Sequence, residues 1–101
     1  MEDTRYDKGD SPYFKFTQET YTFITDTWSY SDPDSGYPKI TITDPTGSIK
    51  INAVLMTKKM VGKYEYIYAL ELTAASGWWT GFIDVMNAAY PDRKTFGFEV
   101  K

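Results

Sequence analysis

The chain has 101 residues, a mass of 11.6 kDa, a net charge of −3 and a pI near 4.8, which leaves room for a single domain. Cysteine and histidine are both absent, which excludes disulfides, thiolate- and imidazole-bound metals, and Ser-His-Asp or Cys-His catalysis. The 11 Lys and Arg residues are scattered among 14 acids, which argues against capture of nucleic acid or an anionic membrane, and no stretch approaches the ~20 apolar residues of a membrane span.

Residues 1–12, MEDTRYDKGDSP, carry six charges and end in Ser11-Pro12, the composition of a flexible lead-in. No apolar run follows Met1-Glu2-Asp3-Thr4-Arg5, so neither a signal peptide nor a membrane anchor is expected. The ordered domain is placed at residues 13–101. A chain this short needs a dense core, and its aromatic content of 18% supplies the bulk.

From Tyr13 onward, short runs rich in Thr, Tyr, Ile, Val, Phe and Trp alternate with Gly, Pro, Asp and Ser clusters about ten residues apart, which predicts an all-β sandwich or barrel. In chain order the predicted strands are 13–17, 21–30, 38–44, 47–54, 62–72, 77–87 and 93–100, about seven in all. Trp28, on the second of these, reads first as a core tryptophan. Asp44-Pro45-Thr46-Gly47 reads as a tight hairpin, with Pro at its second position and Gly at its fourth. Residues 55–61, LMTKKMV, are too short for an independent helix and read as a turn or an irregular edge strand.

Side-chain alternation assigns faces. Tyr64, Tyr66, Tyr68 and Leu70 recur every second residue and are expected inside, with Ile67 outside. Ile40 and Ile42, and Phe96, Phe98 and Val100, form the inward sets of their strands. On 77–87 the inward set is Trp79, Gly81, Ile83 and Val85, so Trp78 and Phe82 are expected on the outer face.

Four pieces of sequence, Asp32-Pro33-Asp34-Ser35, Ile40-Thr41-Ile42-Thr43-Asp44-Pro45-Thr46-Gly47, Gly62-Lys63-Tyr64-Glu65-Tyr66, and Gly77-Trp78-Trp79 with a terminal Phe98-Glu99-Val100, resemble the "D-P-x-G", "G-x-Y-x-Y", "G-x-W" and "F-x-V" signatures of bacterial and archaeal Ig-like domains, akin to macroglobulin-type modules. The resemblance covers residues 21–101. It implies an immunoglobulin-like antiparallel β-sandwich of about seven strands, acting as a spacer, adhesive unit or assembly part in surface, tailed-virus or prophage proteins. A virion or extracellular surface is the implied setting.

Candidate site residues follow from exposure and chemistry. An outward Trp78 with Phe82, and Tyr30 and Tyr90 at loop ends, would suit a protein partner or a sugar ring if the loops converge. Asp32, Asp34 and Asp44 carry the hard oxygens that Ca²⁺ takes, but Asp beside Pro and Gly is first of all turn chemistry, and no metal or cofactor is expected. The acids Glu65, Glu71, Asp84 and Glu99 lie on predicted outer faces rather than flanking a cleft, so glycoside cleavage is not expected. The expected function is a non-catalytic structural or interaction module whose partners are other proteins, with a carbohydrate-binding module as the alternative.

Overall fold

The computed structural model describes residues 5–101. Its strands are β1 (Arg5–Tyr6), β2 (Tyr13–Thr17), β3 (Glu19–Thr22), β4 (Thr27–Tyr30), β5 (Lys39–Thr43), β6 (Ile49–Leu55), β7 (Thr57–Met60), β8 (Lys63–Ile67), β9 (Gly77–Asn87) and β10 (Tyr90–Val100). They form a five-stranded sheet in the order β1-β10-β9-β5-β6, a three-stranded sheet in the order β2-β8-β7, and a hairpin, β3-β4, that pairs only with itself. Among the described residues there is no helix, and hence none long and apolar enough to cross a membrane.

The two larger sheets face each other across one core. Ile40, Ile42, Trp79, Ile83, Val85, Phe98 and Val100 come from the five-stranded sheet, and Phe16 and Tyr64 from the three-stranded one. Aromatic contacts tie the layers, with the Phe14 ring 4.8 Å from Phe96 and 5.7 Å from Phe98, centroid to centroid. The face assignment from alternation therefore has the right register: Trp79 is 0% exposed and its neighbour Trp78 57%. Tyr64 and Leu70 are buried, Tyr66, Tyr68 and Phe96 pack half-buried against the core, and Ile67 faces out.

Among the described residues ten strands are present where about seven were expected, and the larger sheet is mixed rather than antiparallel. Part of the stretch assigned to a lead-in, Arg5–Tyr6, lies parallel to Glu99–Val100, and Pro12 is buried. The run 21–30 is not one strand: it folds back at Phe23–Asp26, where Asp26 donates its N–H to the Phe23 carbonyl at 3.3 Å and adopts a left-handed φ of 52°, a conformation that Asp tolerates better than most residues. Residues 57–60 form an irregular edge strand, with a register shift between Lys58 and Met60.

The strand predicted at 62–72 ends at Ile67. The Tyr68 N–H still reaches the Pro12 carbonyl at 3.1 Å, and that of Leu70 reaches Asp10 at 2.8 Å, but proline has no N–H to return, so the regular ladder stops there. Residues beyond it close one end of the core, where the Trp79 Nε1–H donates to the Ala75 carbonyl at 2.9 Å.

The hairpin at 44–47 forms as expected. The Gly47 N–H donates to Asp44 O at 3.1 Å and the Asp44 N–H to Ser48 O at 2.9 Å, and Gly47 takes a φ of 89° that only glycine adopts freely. After it β6 carries two register shifts against β5. One is held by the buried Thr41 hydroxyl, which accepts the Ala53 N–H at 3.1 Å. Such bulges twist an edge strand away from unwanted pairing.

Candidate interaction site

Trp78 and Phe82 both point outward from β9, four residues apart and therefore about 13 Å from each other along the strand. Neither is a bare platform. The Trp78 indole lies flat over Gly97, where an added Cβ would come within 2.5 Å of its ring. Phe82 is half-buried beneath the Arg93 guanidinium, 3.8 Å from its ring centroid, and Arg93 is held there by Asp84 at 2.7 Å. Trp78, Phe82, Thr43, Thr80 and Thr95 line a shallow outer depression on the five-stranded sheet.

Tyr30 and Tyr90 do not join them. Tyr90 stands 75% exposed opposite Asn87 in the β9-β10 register, nine residues and so about 30 Å along β9 from Trp78. Tyr30 lies on β4 with Lys63 Nζ 4.8 Å from its ring centroid. The four expected contact residues thus do not form one surface.

The most exposed large apolar groups lie at the tip of the β3-β4 arm, which carries the expected Tyr30 but whose tip the sequence did not single out. Phe23 and Ile24 at its tip are 85% and 93% exposed. Behind them Trp28, expected in the core, is 66% exposed and packs on Tyr21 with ring centroids 5.2 Å apart. Tyr21 also hydrogen-bonds the Asp26 carboxylate. At its base the arm is tied to the body through Gln18, whose side-chain amide donates to Asn87 Oδ1 at 2.9 Å and accepts from Asn87 Nδ2 at 3.2 Å. The one available signal was Asp26, a residue suited to turns in the middle of an unusually long strand-like run.

Asp32 and Asp34 border one depression that does not include Asp44, and each of the three aspartates is engaged by protein donors. Asp34 accepts the Ala88 and Ala89 N–H groups, both at 3.0 Å, and so fastens the β9-β10 turn. Asp44 accepts the Thr46 hydroxyl at 2.6 Å and the Thr46 and Ser48 N–H groups at 2.9 Å, which together hold its carboxyl below the ordinary range. Asp32 accepts from Lys58 at 2.7 Å and from the Gly62 N–H and Tyr64 hydroxyl at 2.9 Å. No group of three potential metal-ligating side chains occurs among the described residues. The acids considered for catalysis are similarly engaged: Glu65 pairs with Lys59 at 3.2 Å and Glu99 with Arg5 at 2.8 Å.

Asp32 should shape the stability curve at low pH. Its bond from Lys58, followed by those from Gly62 and Tyr64, lowers its pKa from 3.8 to about 2. A depressed carboxyl pKa contributes stability above the unfolded-state value and loses it as pH falls through the folded-state value. The stability difference between wild type and Asp32→Asn is therefore expected to be full near neutrality and to shrink between about pH 4 and pH 2. Urea midpoints at pH 7, 4 and 2 check this, and a difference unchanged across the three would contradict it. Tyr64 is displaced the other way, to about 12, by burial first and then by its bond to Asp32.

Comparison of the chain with protein-family models, with curated proteins and with solved structures gives no match.

Proposed function

We propose that the protein is a non-catalytic interaction module of a larger assembly, in a virion, prophage or surface setting, and that the β3-β4 arm is the part it presents. The observation that carries this reading is the exposure of Phe23 and Ile24, 85% and 93%, at the tip of a hairpin that no other strand covers. Each square ångström of apolar surface removed from water is worth about 25 cal/mol, and contiguous exposed apolar groups on small domains mark contact surfaces. The lack of His and Cys and the engagement of the carboxylates in turns and ion pairs support a role without chemistry. The Ig-like character rests on the resemblance of residues 21–101; two facing sheets with the D-P-x-G hairpin and an inward Trp79 are compatible with it, and β1, β7 and the division of 21–30 into two strands account for the three beyond seven.

A photoreactive phenylalanine analogue placed at Ile24, in the cell that makes the protein, is expected to form a covalent adduct with protein. Absence of any protein adduct there, with the fold intact, removes the reading.

A glycan-binding role is the second reading, favoured by the 57% exposure of Trp78 among threonines on the outer sheet face. It predicts glycan-array binding that is lost in Trp78→Ala and untouched by Ile24→Ser.

A further inference from the structure

Between the two sheets, on the side where β2 faces β10, the sandwich is open. A groove of about 400 Å³ there is floored by Phe14, Phe16, Ile83 and Phe96 and rimmed by Lys15 and Lys94, with no acid among its lining residues. The β10 edge beside it is regular: it matches β9 residue for residue from Tyr90 to Val100, while β1 covers only Glu99 and Val100 on the other side. On that outer edge Pro91 has no N–H and the Arg93 N–H is taken by Asp92 Oδ1 at 2.8 Å, so the backbone groups of β10 at Thr95 and Gly97 are the ones left for a further strand, next to apolar surface. The opposite edge of the sheet, β6, is bulged and is poorly suited to accept one.

The arm is complementary to this groove in both respects. Its residues 19–30 include two acids, Glu19 and Asp26, and no Lys or Arg, and its tip carries the two most exposed large apolar side chains of the described residues, Phe23 and Ile24. It cannot serve the groove of its own chain. Only Gln18 separates β2 from β3, and the Gln18 N–H continues the β2 ladder to the Gly62 carbonyl at 2.8 Å. The tip therefore lies about 20 Å beyond the end of β2, away from the groove that β2 borders.

We infer that a second copy of this chain is the occupant: the arm of one molecule inserts Phe23 and Ile24 into the Lys15–Lys94 groove of the next. The inference rests on the reading of the arm as an interaction element and names its partner. The contact joins two different patches, so it is heterologous and propagates into a ring or an open filament instead of closing as a two-fold dimer. Opposite charges at the rim steer the encounter and make it weaken with salt.

Sedimentation equilibrium tests this. The wild type is expected to exceed the 11.6 kDa monomer mass increasingly with concentration, and less so in high salt. Phe23→Ser/Ile24→Ser destroys the arm and Lys15→Glu/Lys94→Glu the groove. All four side chains are exposed, so both proteins should unfold near the wild-type midpoint. Each variant alone should stay monomeric, and an equimolar mixture should show twice the monomer mass, because one intact arm then meets one intact groove. A wild type that stays monomeric at millimolar concentration, or a mixture that stays monomeric, overturns the inference. If in either case Ile24 captures a different protein in the cell, the second copy is wrong and the assembly reading stands; if it captures none, both fall.

Discussion

Replacing Trp79 with alanine is expected to remove about 3–5 kcal/mol, the usual loss for a buried large aromatic, from a domain held together by about 5–15 kcal/mol. The side chain is 0% exposed, stacks on Phe98 at 5.7 Å and meets Tyr68 at 6.1 Å, and its N–H bond to the Ala75 carbonyl fastens the end loop to the core. Trp78→Ala removes an indole that lies over the Gly97 backbone on a solvated face, a cross-strand contact worth no more than about 1 kcal/mol. Urea denaturation of the two variants separates them. Equal losses would mean that both indoles carry the core and that alternation on β9 misjudges their roles.

Gly81→Ala is the second large loss. Gly81 is buried in the central strand β9, directly opposite Phe96, and an added Cβ would lie 2.4 Å from the Phe96 ring and 2.7 Å from the Thr41 carbonyl oxygen of β5. With strands paired on both sides the backbone cannot withdraw, and overpacking of this kind costs about 1–3 kcal/mol. Gly97→Ala is the control. The three atoms nearest its added Cβ all belong to the half-exposed Trp78 indole, which can swing into solvent, so its loss should be smaller and accompanied by a change in tryptophan fluorescence. Shortening the opposing ring, Phe96→Leu, in the Gly81→Ala background should return part of the lost stability. A Gly81→Ala protein as stable as wild type would show that the ring does not sit over this glycine.

These two sites also show what a sequence of this kind makes legible. Period-two alternation placed Trp79 inside, Trp78 outside and Ile67 outside, because a strand with one wet face has to sort its side chains that way. The 44–47 hairpin was legible because Pro and Gly preset its dihedrals. The arm was not, since its turn, Phe23-Ile24-Thr25-Asp26, contains neither Gly nor Pro and is as apolar as a strand. Lacking such punctuation, residues 21–30 read as one strand, and Trp28, which is 66% exposed, was assigned to the core. The polar start of the chain misled in the opposite sense: Arg5–Tyr6 docks through backbone pairing with β10, and Tyr6 through an edge-on contact with Phe98 at 5.7 Å, and charge composition does not reveal either. Whether Tyr90 would join Trp78 and Phe82 depended on loops that the sequence does not place, and the length of β9 keeps Tyr90 and Trp78 about 30 Å apart.

The parallel placement of β1 against β10 has a mechanical consequence. Because the two strands run the same way, a pull applied at Arg5 and Lys101 in opposite directions slides one strand along the other. Their bonds, the Arg5–Glu99 ion pair at 2.8 Å and the Lys101 N–H to the Tyr6 carbonyl at 3.0 Å, are then loaded together. An antiparallel pair at the same place would open like a zipper, one bond after another. Forced rupture is governed by the unfolding barrier and not by equilibrium stability, so this short strand, which adds little buried surface, sets how the domain yields when the chain is stretched.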